Sequence, residues 1–322
     1  MVSLLSLYVA KEGNPTVPVR TRAAYPMLAP FLILLIAFLL LPIAYSVYLS
    51  FFTQRLGADY FVGFANYVTA FHDSTFWGGL HTVLYFGIVQ VSSMIIIALG
   101  LALILDSKII RHKTLFRMLY FLPYAVPGVI ATIMWGFLLS PSLDPLLRYF
   151  HGLNPLSSGT LIYSIVLIVL WEVVGYNMTL YYSALTSIPL EIYDAARLDG
   201  CGELGLAMRI KLPLVRPMIG LTLVLSIIGA SQLFNEPFLL SSLTAIPLSY
   251  TPNMDIYSYA FQFGDIPYAA TLSIILGGIV IISTVAFLVI QRVLANRANR
   301  RVLASAEVGE TRVGLGAKVE VY

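Results

Sequence analysis

The chain alternates between long apolar runs and shorter polar connections. Six of the runs reach the roughly 20 mostly apolar residues that a helix needs to cross a bilayer. They cover residues 27–51, 80–105, 116–139, 161–185, 214–234 and 268–291. The pattern therefore predicts an all-α integral membrane protein with six transmembrane helices.

Three prolines lie inside or near these runs, at Pro42, Pro123 and Pro127. A membrane bundle tolerates proline because neighbouring helices, side chains or waters satisfy the backbone groups that it frees. We therefore expect residues 116–139 to form one span despite two of the three prolines.

The composition supports a membrane protein and excludes a soluble globular enzyme. Of the 322 residues, 59% are hydrophobic and 11% are charged, whereas about a quarter of the residues in a soluble domain are charged. The formal net charge of +3 is too small to indicate a nucleic-acid partner. Cys201 is the single cysteine, and the four histidines are scattered, so neither an internal disulfide nor a metal site is expected.

The positions of Lys and Arg predict the orientation in the membrane, because cytoplasmic loops carry an excess of both. With six spans, both termini, the second–third connection and the fourth–fifth connection share one side, which holds 17 of the 19 basic residues. Only Arg55 and Arg148 fall on the other side. We predict a cytoplasmic tail over 1–24, a six-span domain over 25–295 and a second cytoplasmic tail over 296–322.

The fourth–fifth connection, residues 189–213, carries the signals of a helix that ends at a sharp corner. Pro189 suits a first helical turn, where its missing N–H costs nothing. Glu191 and Asp194 favour the amino end of a helix through its dipole. Asp199 and Gly200 form a turn signal, and glycine takes the left-handed conformation that ends many helices.

A second short helix is expected after this corner, with Pro213 starting the next span. The pair lies on the cytoplasmic side and is either an amphipathic element on lipid or a docking element for a protein. The segment 191–203 holds four acids and one base, and anionic lipid would repel it. A protein groove is favoured, with these residues as the contacts: Glu191, Asp194, Ala195, Ala196, Asp199 and Gly200.

Polar side chains inside the spans are costly and are therefore functional candidates. Glu172 and Tyr176 share a face of the fourth predicted span, with Asn177 beside them. Gln232, Asn235 and Glu236 share a face at the end of the fifth. Aromatic rings with amide and carboxylate groups suit sugars, although Asn177 also fits a role in bridging helices.

The ordered set of motifs resembles the permease subunits of ABC importers in the carbohydrate-uptake branch. The loop looks like the EAA loop of that family, with Asp194-Ala195-Ala196 followed by Asp199-Gly200 and ending in Leu212-Pro213. Further similarity over about residues 25–295 comes from Phe61–Tyr67, Phe76-Trp77, Phe121-Leu122-Pro123, Trp135, Trp171, Ile188-Pro189, Leu233–Pro237, Gly264 and Tyr268-Ala269-Ala270. The chain departs from the pattern where Asp194 replaces the usual Glu and Cys201 the usual Ala.

The resemblance implies a type I importer permease fold in a prokaryotic inner membrane. It implies a second homologous permease, two cytoplasmic ATPase subunits, an extracytoplasmic solute-binding protein and a sugar substrate. The chain lacks a Gly-x-x-x-x-Gly-Lys-Ser/Thr run, so we expect no cofactor and no enzymatic activity of its own, with ATP bound by the partners. In maltose-transporter relatives, the regions matching Glu172, Tyr176 and 232–236 contact substrate.

Three alternatives remain open at the level of the sequence. One is an ABC-importer permease for another solute, such as glycerol phosphate, but an anion site would favour Arg or Lys and the polar faces offer Glu172 and Glu236. A secondary transporter is a second, although no internal repeat is evident. A membrane scaffold is the third, and it would not need polar faces inside the spans.

Overall fold

The computed structural model of the chain describes residues 21–55, 58–107, 110–140 and 154–319. Most of the predicted N-terminal tail and Arg148 lie outside the described residues. Five helical segments are long and apolar enough to span a membrane, and they cover Met27–Leu49, Ser74–Asp106, Leu161–Thr186, Glu203–Leu240 and Ile266–Leu294. A bent pair, Lys113–Ala125 and Gly128–Leu138, makes a sixth when it is counted as one span. The predicted helical membrane fold is therefore confirmed.

The elements are numbered here in chain order. They are α1 (Thr21–Leu35), a π-helical turn (Ile36–Leu40), α2 (Leu41–Leu49), β1 (Phe52–Arg55), β2 (Ala58–Phe61), α3 (Ala65–His72), α4 (Ser74–Asp106), α5 (Lys113–Phe121), a 3₁₀ turn (Leu122–Ala125), α6 (Gly128–Leu138), α7 (Leu161–Thr186), α8 (Leu190–Leu198), α9 (Glu203–Leu206), a π-helical turn (Ala207–Lys211), α10 (Leu212–Ser231), α11 (Asn235–Leu240), α12 (Pro252–Tyr257), a π-helical turn (Ser258–Gln262) and α13 (Ile266–Val319). The two strands pair antiparallel and add a small hairpin to the helical fold.

The third predicted span, over 116–139, is present as a broken span instead of one straight helix. Its two halves, α5 with the 3₁₀ turn and α6, are bent by 95°. Val126 is extended (φ −80°, ψ 127°), as expected for a residue that precedes proline. Pro127 is also extended and caps α6. Pro127 therefore lies at the change of direction, whereas Pro123 is accommodated in the first turn of the 3₁₀ helix.

The core is built on α4 and α7, which pack along each other, with α10 lying against both. Its inner cluster includes Met94 and Ala98 of α4 and Met178 and Tyr181 of α7, each fully buried. Tyr181 also shares a buried 2.6 Å hydrogen bond with Thr222 of α10. Tyr181 therefore packs within the helix bundle instead of facing lipid.

Gly175 is where the broken span meets the core. A Cβ atom added there would fall on the carbonyl oxygen of Tyr120, well inside van der Waals contact. The carboxyl end of α5 therefore packs backbone against backbone on α7. This approach fixes the 3₁₀ turn, including Tyr124, beside the centre of α7.

A polar cluster joins the amino end of α4 to α13. The Asp73 carboxylate caps α4 and accepts a 2.9 Å hydrogen bond from the Tyr268 hydroxyl. Burial alone would raise the pKa of Asp73, but the hydrogen bonds from Thr75, Tyr268 and Phe76 outweigh it and the pKa is lowered. Burial and the Asp73 charge raise the pKa of Asp255 in α12 to about 6. The hydrogen bond between Asp73 and Tyr268 therefore ties α4 to α13 at this end, with Asp255 of α12 close by.

Much of the apolar surface has no partner within the described chain. None of the span Met27–Leu49 is buried, and Phe38 is 78% exposed. Large apolar side chains on α5, α6 and α13 are exposed as well. Lipid or other membrane subunits are needed to cover such a surface.

Candidate functional site

The predicted corner between two helices is present in the fourth–fifth connection. Helix α8 ends at Leu198, and Gly200 has a φ of +78°. The Cys201 N–H donates to Ala196 O, and the Gly200 N–H donates to Arg197 O, each at 3.0 Å. This is the Schellman pattern, which satisfies helix-end carbonyls through a left-handed residue.

The segment after the corner differs from the expectation of a separate short helix. Helix α9, the π-helical turn Ala207–Lys211 and α10 run without interruption from Glu203 to Ser231, within the span-length segment Glu203–Leu240. Pro213 lies near the start of α10, where the helix already has the φ that proline needs. The second arm of the corner is therefore rigidly continuous with the fifth span.

The residues predicted to couple to a partner divide between two faces of α8. Five are exposed, namely Glu191, Asp194, Ala195, Asp199 and Gly200. Ala196 is 8% exposed and packs in the inner core cluster with Tyr193. A buried side chain offers no surface to another protein, so the structure assigns Ala196 to packing within the chain.

Two features of this surface were missed by the sequence analysis. Arg197 bridges the corner, with 3.4 Å to Asp194 Oδ1 and 3.1 Å to Glu203 Oε1. Leu198 and Leu204 flank the turn and are 90% and 78% exposed. The available signal was the presence of leucines on both sides of a polar turn. We name the exposed side of α8 and the corner the cytoplasmic face, after the side of the membrane predicted for it, and define it by Glu191, Asp194, Ala195, Leu198, Asp199, Gly200 and Leu204.

A cavity of about 370 Å³ lies between α4, the 3₁₀ turn, α7 and the end of α10. It brings together five of the six predicted substrate residues, which are Tyr176, Asn177, Gln232, Asn235 and Glu236. No Lys or Arg is among the described residues that line it. The described lining therefore offers hydrogen-bonding groups and one acid, Glu236, but no cation.

The aromatic wall of this cavity is a stacked pair. The rings of Tyr176 and Tyr124 are 4.5 Å apart, with 16° between their planes. Asn177 is 6% exposed, and its amide donates to Val173 O at 2.9 Å. One N–H of the Asn177 amide is therefore bonded within its own helix, whereas Tyr176 presents an aromatic surface to the cavity.

Glu172 is not among the lining residues. Its carboxylate lies beside Gly128 at the start of α6, with Oε2 3.6 Å from where a Cβ of residue 128 would be. Its Oε1 is buried and has no hydrogen-bond partner among the described residues. Glu172 is thus one turn away from Tyr176 on α7, and it faces the bend of the broken span.

The polar residues at the end of the fifth span do not share one helical face, which corrects the spacing argument. Helix α10 ends at Ser231, and α11 starts at Asn235 after a nonhelical Phe234 (φ −146°, ψ −53°). Gln232, Asn235 and Glu236 nevertheless meet at the same cavity. Irregular backbone at such a depth is tolerated where it is covered by protein or lines a cavity.

Tyr124 and Gln90 also line the cavity and were missed. Gln90 is 4% exposed on α4, and a buried amide inside a long apolar run was the signal that could have identified it. Tyr124 reaches the cavity only because the third span is broken. Sequence spacing along a continuous helix gives no indication of that position.

Comparison with known proteins places the chain among transport proteins. Residues 111–300 match the family described as binding-protein-dependent transport system inner membrane component. The lactose transport system permease protein LacF of Rhizobium radiobacter is 33% identical over 272 residues, which cover 81% of this chain and 90% of that protein. The sn-glycerol-3-phosphate transport system permease protein UgpA of Escherichia coli (strain UTI89 / UPEC) is 29% identical over 274 residues, with 81% and 91% covered.

A solved structure shares the fold. It is a chain of a bacterial ABC transporter involved in the import of the acidic polysaccharide alginate, with a TM-score of 0.73 and 20% identity. The match covers 85% of this chain and 96% of that one. The chain therefore shares its overall fold with a solved transporter structure.

Proposed function

The chain belongs to the family of binding-protein-dependent transport system inner membrane components, and from that premise we propose that it forms half of the sugar pathway of an ABC importer. It is a permease subunit, and its proposed substrate is a neutral sugar or short oligosaccharide. ATP is bound and hydrolysed by partner subunits, and the chain itself needs no cofactor. A second homologous permease and a solute-binding protein complete the proposed assembly.

The cavity beside α7 and α10 is the observation that carries this proposal. The stacked Tyr124 and Tyr176 rings offer an apolar face for the C–H side of a sugar ring. Asn235, Gln232 and Glu236 offer donors and acceptors for hydroxyl groups. A pocket with a mainly apolar wall and a few convergent polar groups is the usual form of a small-ligand site.

The cytoplasmic face supports ATP-driven coupling in this proposal. It is a rigid corner that carries exposed acids and leucines, and it continues directly into α10, which lines the cavity. When partner ATPases close on ATP, the corner moves and α10 moves with it. The cavity then alternates between the two sides of the membrane.

Glycerol phosphate is the second candidate solute, because the similar protein UgpA is a permease of an sn-glycerol-3-phosphate system. A phosphate group is best held by Arg or Lys, often with paired hydrogen bonds. The described lining of this cavity has neither, and it contains Glu236. A neutral sugar therefore fits the cavity better than an organic phosphate.

The proposal is tested by uptake into vesicles that contain the complete transporter, with lactose and sn-glycerol 3-phosphate as probes. We expect Tyr176→Ala and Glu236→Ala to reduce sugar uptake about tenfold or more, since each removes a contact worth roughly 1–2 kcal/mol. Co-purification of the ATPases should be unchanged, because both residues line the cavity and neither belongs to the cytoplasmic face.

Tyr163→Ala is the matched control. Tyr163 lies on the same helix, is 52% exposed and shares its hydroxyl hydrogen bond with Tyr85 outside the cavity. It should leave uptake unchanged. Full uptake in both cavity variants would place the substrate site in the partner permease.

We further propose that both termini and the loop over 189–212 are cytoplasmic, which the basic residues support. A single cysteine at position 203, in a Cys201→Ser background, should resist impermeant thiol reagents in intact cells and react after lysis. Glu203 is 71% exposed at its side chain, so protection by the fold does not explain a lack of labelling. Efficient labelling without lysis would show that the loop lies on the outer side of the membrane and would contradict the proposed topology.

A further inference from the structure

A buried ion pair ties the cytoplasmic end of α4 to the helix corner. Lys211 Nζ lies 2.5 Å from Asp106 Oδ2, and the two side chains are 8% and 12% exposed. Asp106 is the last residue of α4, and Lys211 is the last residue of the π-helical turn before α10. Separating two buried opposite charges is strongly unfavourable, because each would remain uncompensated.

The same ammonium group also contacts α8. It lies over the Tyr193 ring, 5.2 Å from the centroid, in a cation–π arrangement. The Tyr193 hydroxyl in turn donates to Leu185 O near the end of α7 at 3.2 Å. Burial and the neighbouring Asp106 charge raise the pKa of Tyr193 to about 12, so the ring stays neutral. Lys211 therefore connects both arms of the corner to α4.

This pair differs from the other ion pairs of the corner. The Arg197 pairs with Asp194 and Glu203 involve acids that are 70% and 71% exposed, where water screens the attraction. Lys113, a second cation near α4, donates to the backbone oxygen of Asp106 at 3.1 Å and leaves the carboxylate to Lys211. The Asp106–Lys211 bond is thus the directional contact between the corner and α4.

The other contacts that the described residues make between the corner and α4 are apolar. They involve Ala98, Ala102 and Leu105 of α4 with Tyr193, Ala196 and Leu206 of the corner, all in one buried cluster. Apolar burial is non-directional, so such a surface permits sliding, whereas a short ion pair fixes one register. Helix α4 also forms a wall of the cavity through Phe86 and Gln90.

We propose that Asp106 and Lys211 are positioning residues that make α4 move with the corner, so that partner-driven motion reaches both walls of the cavity. The inference rests on the proposed ATP-driven function. Without the pair, α10 still follows the corner because the two are continuous, whereas α4 is then held to α10 and the corner by apolar packing alone and no longer keeps its register. The ion pair thereby converts movement of one helix into movement of two.

Distances between pairs of spin labels test this inference without any knowledge of the transported sugar. In a Cys201→Ser background, the first pair joins the end of α4 to α13, at Ile104 and Ile290, and the second joins the corner to α13, at Met208 and Ile290. All three sites are more than half exposed. Distances are measured in the complete transporter, with and without ATP, magnesium and vanadate.

With the Asp106–Lys211 ion pair intact, both distances should change when the transporter is trapped with ATP. In the double variant Asp106→Asn with Lys211→Met, the Met208–Ile290 distance should still change on trapping. The Ile104–Ile290 distance should no longer change. Both charges are removed together, so neither is left buried and unpaired. Lys211→Arg keeps the charge and should keep both changes, and Lys113→Met is the matched control that should also keep both.

Each other outcome has a defined meaning. The inference would be overturned if the Ile104–Ile290 distance changed as much in the double variant as it does with the ion pair intact. Failure of the double variant to assemble, while Lys113→Met assembles, would assign the pair to folding alone and would also overturn it. If neither distance responds to ATP even with the ion pair intact, the ATP-driven function itself is wrong.

Discussion

Replacing Gly200 with valine should abolish both ATPase binding and sugar uptake while leaving membrane insertion intact. Gly200 has a φ of +78°, a conformation that costs roughly 1–2 kcal/mol for a residue with a Cβ and more when that carbon is branched. No atom lies within 4 Å of the added Cβ, so the penalty comes from the backbone. The corner must open to relieve it, and the cytoplasmic face then loses its shape.

The magnitude follows from the association equilibrium, in which about 1.4 kcal/mol corresponds to a tenfold change. We expect co-purified ATPase to fall about tenfold or more in Gly200→Val. Asp194→Lys should act similarly by a different route, since it reverses an exposed charge and separates residue 194 from Arg197. The measurement is the amount of ATPase recovered with the purified chain, alongside uptake in vesicles.

Gly202→Ala is the matched control for the corner. Gly202 has an ordinary extended backbone (φ −72°, ψ 169°), and a Cβ there meets nothing within 4 Å. It should retain ATPase binding and uptake. Full binding and uptake in both Gly200→Val and Asp194→Lys would show that this loop does not couple the chain to ATPases.

Gly175→Ala should prevent the native packing of the broken third span. Its Cβ would overlap the carbonyl of Tyr120, and the next nearest atom outside that residue is the Phe121 backbone nitrogen at 3.0 Å. Both are backbone atoms, so no side-chain rotation relieves the overlap. Overpacking in a core typically lowers the free energy of unfolding by roughly 1–3 kcal/mol. For an overlap with backbone atoms we expect a loss of about 3 kcal/mol or more.

The expected result is a large fall in the midpoint of thermal unfolding in detergent and in the yield of chain from membranes. Gly278→Ala, in α13 with nothing within 4 Å of its added Cβ, controls for the loss of a glycine within a span. It should be neutral or slightly stabilising, because alanine is the better helix former. An unchanged midpoint in Gly175→Ala would contradict the close approach of α5 and α7.

The spans and the corner could be predicted from the sequence because both have local causes. Apolar runs of the right length specify helices in a membrane. The Asp199-Gly200 pair specifies a left-handed helix end, and the structure has it. These features do not depend on which helices are neighbours, so periodicity and turn chemistry are sufficient to identify them.

The bend at Pro127 and the burial of Ala196 could not be predicted in this way. Whether a proline is absorbed or breaks a span depends on what surrounds it, and here the packing of α5 on Gly175 stabilises the broken form. Ala196 is a small residue on a polar helix, which suits either face. It is buried in a cluster with Met94 and Ala98 of α4, which come from a distant part of the sequence.

The residues of the candidate cavity could be predicted only in part, because their placement also depends on which helices are neighbours. Tyr176, Asn235 and Glu236 could be identified because polar groups are conspicuous in apolar segments. Glu172 carries the same signal but faces Gly128 instead of the cavity. The position of α6 decides that difference, and α6 is set by the bend.

Purification of the chain from its native membrane, with identification of the subunits that accompany it, tests the central claim most directly. The account predicts a second permease and ATPase subunits, and ATP-dependent sugar uptake when this assembly is placed in vesicles with its solute-binding protein. A chain that purifies without ATPases and moves solute in the absence of ATP would contradict it.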